Sequence, residues 1–281
     1  MNGRIVVITG GNSGIGLETA RALISAGAQV ILLCRDLECG LDAVEDLSSA
    51  GQPPIFVHCD LAEPDSIDLA AVQIADCWPR IDVLINNAGA YFPRYRTTAR
   101  GLEMTFAVNH LGPFRLTRML LPLLTGPDAR IVNVASIAHA QSRLDFTDLQ
   151  RRSRRYFGFF AYADSKLCNI LFTRALAKRL EGTGVTANSL HPGVVATGFG
   201  QDEPGFFNAL FRLGSPLLSS PQSGAKTSIH LASSPDVASV SGEYFARSRP
   251  TQPSRRARDD ESAEKLWAIS EALITRGSPA P

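Results

Sequence analysis

Ile5-Val6-Val7-Ile8-Thr9-Gly10-Gly11-Asn12-Ser13-Gly14-Ile15-Gly16 is the stretch on which the fold turns. Its first four residues are all apolar and β-branched, as in a short buried strand. From Gly16 to Ala26 the residues Leu17, Ala20, Leu23 and Ile24 share one face at helical spacing. Gly27 then stands where a C′ glycine ends a helix. Between strand and helix lies a glycine-rich turn. Such a turn lets backbone N–H groups approach a pyrophosphate, and the helix N-terminus adds positive potential. The alternative is a turn that is only structural. The strand before and the helix after favour the phosphate cradle, with Gly10, Asn12, Ser13, Gly14, Ile15 and Gly16 as its residues.

The same rhythm runs outward along the chain. Val30-Ile31-Leu32-Leu33 is a second buried run, and a helical stretch over about 37–50 is broken by Pro53-Pro54. Ile55-Phe56-Val57, Val83-Leu84-Ile85 and Ile131-Val132-Asn133-Val134 follow at helical separations, then Val185 to Leu190 and Gly242 to Phe245. Strands apolar on both faces that alternate with helices predict an α/β fold: a doubly wound parallel sheet with helices on both faces. No interior linker, repeat or low-complexity tract interrupts residues 1–281, so a single domain is expected. With 44% hydrophobic and 20% charged residues, disorder, collagen and coiled coil are excluded. Lys and Arg balance Asp and Glu, 28 against 27, leaving no global field for nucleic acid or anionic lipid. The five cysteines form neither a CxxC pair nor a Cys/His cluster, so no metal site is expected and a reducing compartment is the default. No run reaches the roughly 18 to 20 apolar residues of a membrane span, and the start reads as a strand rather than a leader. The expectation is a cytoplasmic protein without a membrane span.

Strand two ends Leu33-Cys34-Arg35-Asp36. NAD sites place an acid there, to accept from the ribose hydroxyls. Here Cys34 fills that slot and Arg35 follows, and a guanidinium suits a phosphate monoester. This favours NADP(H). In the competing reading Arg35 is solvated and Asp36 is the ribose acid, one or two positions late.

Thr9-Gly10-(x)3-Gly14-Ile15-Gly16, Asn86-Asn87-Ala88-Gly89, Ser136, Tyr162-Ala163-Asp164-Ser165-Lys166 and Pro192-Gly193 occur in one order. Over about residues 1–200 the chain thereby resembles the short-chain dehydrogenase/reductase family, which has a Rossmann fold. Cys34-Arg35-Asp36, Val108-Asn109-His110-Leu111-Gly112, Ala161-Tyr162 and a wide Ser136-to-Tyr162 gap resemble the subgroup of retinol dehydrogenases and protochlorophyllide reductases. The extra segment in that gap spans about 143–160. The resemblance implies Tyr162 as acid/base, Lys166 as its electrostatic partner and a ribose ligand, Ser136 as donor to the carbonyl oxygen and Asn109 as the fourth catalytic residue. It also implies adenine contacts from Asp60 and Leu61, close approach of Asn87, Ala88 and Gly89 to the adenine ribose, and a nicotinamide-facing segment with Pro192, Gly193, Val195 and Thr197. The carboxamide would bond the backbone of Val195 and the hydroxyl of Thr197.

The chemistry is consistent with those roles. A hydride moved to a carbonyl requires a proton at its oxygen. A phenol can supply it, and a nearby ammonium draws the phenol down from its ordinary value of about 10. Tyr162 and Lys166 stand four apart, on one helix face. Pro113 lies four residues after Asn109 and has no N–H, which frees the Asn109 carbonyl to hold a proton-passing water, or else merely kinks the helix.

Residues 198–221 carry Phe199, Phe206, Phe207, Leu210, Phe211, Leu213, Leu217 and Leu218. They read as a lid over a hydrophobic small molecule, with a subunit interface or plain packing as the alternatives. Arg151-Arg152-Ser153-Arg154-Arg155 reads as a solvated loop with some pairs to acids, rather than a nucleic-acid or anion site. So do the five arginines between 247 and 258, at the head of a C-terminal extension over 247–281 with a final helix around 259–275. The helix from Tyr162 has two apolar stripes, Leu167, Ile170, Leu171, Ala175 and Phe172, Leu176, Leu180. One would face the sheet and the other a second subunit, which predicts a homodimer or homotetramer. The expected protein is an NADP(H)-dependent oxidoreductase interconverting a carbonyl and an alcohol on a hydrophobic small molecule. A non-catalytic NADP-binding regulator is the alternative.

Overall fold

The computed structural model describes residues 1–125, 128–193 and 220–275. The apolar runs become strands β1 (Ile5–Thr9), β2 (Gln29–Cys34), β3 (Ile55–His58), β4 (Val83–Asn86), β5 (Arg130–Val134), β6 (Thr186–His191) and β7 (Tyr244–Ala246). They pair in parallel in the order β3-β2-β1-β4-β5-β6-β7. A two-residue strand β8 (Arg249–Pro250), not expected from the sequence, adds antiparallel to β7. Val6 and Ile8 of β1 enter one core and Val7 the other, as the two-residue period of a strand requires. β3 is an outer strand, so Ile55 and His58 are exposed rather than covered on both faces.

Helices α1 (Gly14–Ser25), α2 (Leu37–Ser48) and a later helix over Pro221–Ser233 cover the Val6 face. Helix α1 ends as its glycine foretells. Gly27 adopts φ +90°, its N–H reaches the Ile24 carbonyl at 2.8 Å, and the Ala28 N–H reaches that of Leu23 at 3.0 Å. The Val7 face is covered by α3 (Pro64–Cys77), a helical stretch from α4 (Met104–Phe106) to α5 (Gly112–Leu120), α6 (Gly158–Arg179) and the C-terminal helix. In chain order the Pro221–Ser233 helix is α7 and the C-terminal helix, Asp260–Thr275, is α8. Strand order reverses between β1 and β4, and a cleft opens there at the carboxyl edge of the sheet.

Three expectations are corrected. The second stripe of α6 meets the chain's own α8, not a second subunit. The Phe172 ring lies 5.1 Å from Phe114 and 6.0 Å from Trp267 of α8, and Trp267 lies 5.0 Å from Phe114. An amphipathic helix at the chain end folds back and buries that face, and each such side chain contributes about 1.5–3 kcal/mol. The second stripe therefore gives no argument for an oligomer.

The segment Arg151–Arg155 pairs with acids as expected, but at Arg151 it is buried rather than solvated. Arg151 is buried and ion-paired with the buried Asp164 of α6. The Asp164 carboxylate also accepts from the Ser142 hydroxyl and the Arg143 N–H, both at 2.7 Å. A carboxylate taken out of water needs a counter-charge and hydrogen bonds, and the extra segment folds over α6 to supply both. Arg152 and Arg155 do remain exposed.

Finally, the stretch over 247–258 is structured although its arginine side chains are largely in water. It contains β8 and a short 3₁₀ turn, Arg255–Arg258, with Ala257 buried. Residues 198–219 of the expected lid, and 276–281 of the extension, lie outside the described residues. Ser220 caps α7, so Pro221 belongs to a helix. Among the described residues no helix is long and apolar enough to cross a membrane.

Candidate active site

The cleft encloses about 620 Å³. Its floor is the turn after β1. Gly10 and Gly14 take φ +64° and +53°, where a side chain is strained. A Cβ on Gly16 would collide with the Gly10 carbonyl and the Asn87 amide. That amide donates to the carbonyls of Thr9 at 2.9 Å and Gly10 at 3.1 Å. The Thr9 hydroxyl in turn accepts from the N–H groups of Asn87 and Ala88, each at 3.0 Å. The turns after β1 and β4 are thereby tied together. Ser13, at the start of α1, makes no side-chain cap bond, so the first N–H groups of the helix face the cleft without a capping oxygen. This backbone cradle fits a pyrophosphate.

At the end of β2 the two sequence readings separate. The Asp36 carboxylate caps α2 by accepting the Cys39 N–H at 2.8 Å. Bonds from the backbone and side chain of Cys39 hold its carboxyl below the usual range. Asp36 thus caps the helix through one oxygen, and both it and the exposed Arg35 lie on the cleft wall. Burial pushes the Cys34 thiol up to about 11, against the N–H groups of Asn12 and Gly11 that point at it. Cys59, Asp60 and Leu61 form the facing wall.

Further along, α6 brings Tyr162 and Lys166 into the cleft beside Ser136. Ser136 ends the loop after β5 and caps a 3₁₀ turn, Ile137–Gln141, with its Oγ accepting from the Ala138 N–H at 3.2 Å. That bond occupies a lone pair and leaves the hydroxyl proton free to point at Tyr162. Burial pushes Tyr162 up to about 12, and the Ser136 hydroxyl pulls it the other way. Burial draws Lys166 down to about 8. Its Nζ donates to the Val134 carbonyl at 3.0 Å and lies 5.6 Å from the centre of the Tyr162 ring. The expected lowering of the phenol by the ammonium is not seen here: desolvation disfavours both charged forms, and the pull downward on Tyr162 comes from Ser136.

Asn109 sits behind the cleft wall in a π turn, Ala107–Leu111. Pro113 cannot donate to the Asn109 carbonyl, and the helix widens there, with the Gly112 N–H reaching back to Ala107. The Asn109 amide accepts from the Ala90 N–H at 2.7 Å and donates to the Ala90 carbonyl at 2.9 Å and the Ser165 hydroxyl at 3.0 Å. It therefore ties the loop after β4 to α6. Gly89 is small because a Cβ there would stand 3.1 Å from the Lys166 ammonium.

Of the residues expected from the sequence, Gly10, Asn12, Ser13, Gly14, Ile15, Gly16, Arg35, Asp60, Leu61, Asn87, Ala88, Gly89, Ser136, Tyr162, Lys166, Pro192 and Gly193 line the cleft. Val195 and Thr197 lie outside the described residues. The sequence reading missed Tyr91, Phe92, Ile137, Phe159 and His191, which also line it. Tyr91 meets Tyr162 edge-on at 6.3 Å. Adjacency was the available signal: Tyr91 and Phe92 follow the Asn87-Ala88-Gly89 turn, and Ile137 follows Ser136.

The chain matches the short chain dehydrogenase family over residues 4–204. It is 43% identical to retinol dehydrogenase 12 of Mus musculus over 275 residues, spanning 97% of this chain and 86% of that one. Among solved structures, an uncharacterized protein from Mycobacterium paratuberculosis aligns with a TM-score of 0.80 at 36% identity, covering 98% of this chain and 94% of that one. Pseudomonas aeruginosa RhlG, in an NADP active-site complex, aligns with a TM-score of 0.71 at 27% identity over 87% and 94% of the two chains.

Proposed function

The chain belongs to the short-chain dehydrogenase family, and on that premise we propose that it uses NADP(H) to reduce the carbonyl of a hydrophobic small molecule, with Tyr162 as proton donor. It is an oxidoreductase acting between alcohol and carbonyl, and binds a nicotinamide cofactor that supplies the hydride when bound. The observation that carries the reading is the convergence of Tyr162, Ser136 and Lys166 on one cleft with a glycine cradle at its far end.

Each residue has a task. Gly10 to Gly16 present backbone N–H groups to the pyrophosphate, and Arg35 meets the ribose phosphate that distinguishes NADP. Asp60, Leu61, Asn87, Ala88 and Gly89 border the adenosine, and Pro192 and Gly193 the nicotinamide. Lys166 holds the nicotinamide ribose. Tyr162, pushed up to about 12, is protonated at neutral pH, which is the form that donates in reduction. Ser136 offers its proton to the same oxygen. Asn109 keeps the loop at Ala90 and the helix at Ser165 in register. The aromatic and apolar wall of Tyr91, Phe92, Ile137 and Phe159 supports an apolar substrate.

The test is a panel of lipophilic aldehydes and ketones, retinal among them, scored by consumption of NADPH or NADH. Turnover with NADPH favoured supports the reading. Cofactor binding with no turnover across the panel favours a non-catalytic regulator instead, and equal use of NADH removes the role of Arg35.

A further inference from the structure

His139 lies one turn beyond Ser136, buried and edge-on to the Tyr244 ring at 5.2 Å. Its Nδ1 is 2.7 Å from the Ser136 carbonyl, and its Nε2 is 3.1 Å from the Ser254 N–H of the C-terminal extension. A carbonyl only accepts and a backbone N–H only donates. Nδ1 therefore carries the proton and Nε2 the lone pair, so the ring is neutral with one tautomer set by its partners. Burial draws His139 below the ordinary histidine value, against the Ser136 carbonyl. The far end of the same 3₁₀ turn is also held by the extension, because Arg256 donates to the Ser142 carbonyl at 3.1 Å.

We propose that His139 is a positioning residue for Ser136: clamped by the Ser254 N–H, it fixes the Ser136 carbonyl and so the direction in which the Ser136 hydroxyl points. The inference rests on the role given to Ser136 above. It makes the stretch from Ser254 to Arg256, more than a hundred residues away in sequence, part of the support of the reacting groups. Ser136 Oγ is held by the Ala138 N–H and meets the Tyr162 hydroxyl. Without the imidazole its carbonyl keeps the His139 N–H, at 3.2 Å, and the same peptide keeps the longer bond from the Ile137 N–H to His191 Nδ1, at 3.3 Å, so its shortest restraint is lost.

The test uses kcat and KM with decanal and NADPH, beside NADPH titration by fluorescence. His139→Gln reaches the Ser254 N–H but loses the donor to Ser136. His139→Asn keeps that donor, since its amide nitrogen matches Nδ1. Ser254→Pro removes the clamping N–H together with a side-chain hydroxyl that has no partner among the described residues, and Ser254 already has φ −55°, within the proline range. His139→Gln is expected to lower kcat by about 10- to 100-fold with NADPH affinity unchanged, and Ser254→Pro and His139→Asn, which each keep the donor to Ser136 but lose the clamp, to fall between it and wild type. Ser136→Ala is expected to lower kcat by about 10²-fold or more, and His139→Gln added to it to change kcat by less than about twofold. If His139→Gln is as damaging in the Ser136→Ala background, or if His139→Gln and Ser254→Pro keep wild-type kcat while Ser136→Ala does not, the inference is wrong. Should His139→Gln fail to fold, Ser254→Pro decides alone. Wild-type kcat in Ser136→Ala itself would overturn the role of Ser136 first, and the inference with it.

Discussion

Replacing Lys166 with Met should make the protein more stable and inactive. Lys166 is 3% exposed, and among the described residues its ammonium donates one hydrogen bond, to the Val134 carbonyl. Burial draws it from the ordinary 10.5 to about 8. At about 1.36 kcal/mol per pH decade, holding that charge inside the fold at pH 7 costs about 3 kcal/mol. Met keeps the length of the stem and removes the charge. The Val134 carbonyl retains the Asn169 amide at 3.3 Å, so the lost bond offsets only about 1 kcal/mol. The expected net gain is about 2 kcal/mol, or about 4–8 °C in Tm. The sign with pH follows from a lowered lysine value. Below about pH 8 the group is charged in both folded and unfolded chains, and the whole cost is present. Between about 8 and 10.5 only the unfolded chain keeps its proton, so wild-type stability recovers and the advantage of Met closes. Urea denaturation of both proteins at pH 7 and at about pH 9.5, with turnover measured alongside, tests this. A Lys166→Met protein less stable than wild type at pH 7, or a difference that does not shrink as pH rises, would refute the picture of a desolvated cation retained for function.

Arg35→Ala should weaken NADPH binding about tenfold, the lower end for a charge-assisted bond at an exposed site, while NADH affinity stays flat; fluorescence titration with both cofactors checks it, and equal losses would count against the phosphate contact. Tyr162→Phe should lower turnover by about 10² to 10⁴ with the melting curve and NADPH titration unchanged; wild-type turnover would remove Tyr162 as proton donor. Trp267→Ala should cost about 3–5 kcal/mol, because the ring fills the seam between α8 and Phe114 and Phe172; a shift in denaturation midpoint below a third of that would mean the seam closes without it.

The parts of this protein that were legible in the sequence are local ones. A β-branched run, a glycine that only a left-handed turn requires, and a Tyr and Lys four apart each carry their conformational meaning within a few residues. The sheet, the cradle at Gly10 to Gly16 and the pair at Tyr162 and Lys166 could therefore be read directly. What misled was always a question of partners. Asp36 and Arg35 are adjacent and both charged, and only the structure shows that Asp36 spends one oxygen capping a helix at Cys39. Arg151 looks like its solvated neighbours until Asp164 is found buried beneath it. The second stripe of α6 announces a cover without saying whose, and Trp267 answers it from the far end of the same chain. His139 is one of five histidines until Ser254, 115 positions on, meets its ring. The local pattern determined backbone states, strand faces and the spacing of reacting groups, because propensity and period act over a few residues. The tertiary structure alone decided burial, ionisation and tautomer, because desolvation and counter-charge depend on atoms brought together from distant parts of the chain.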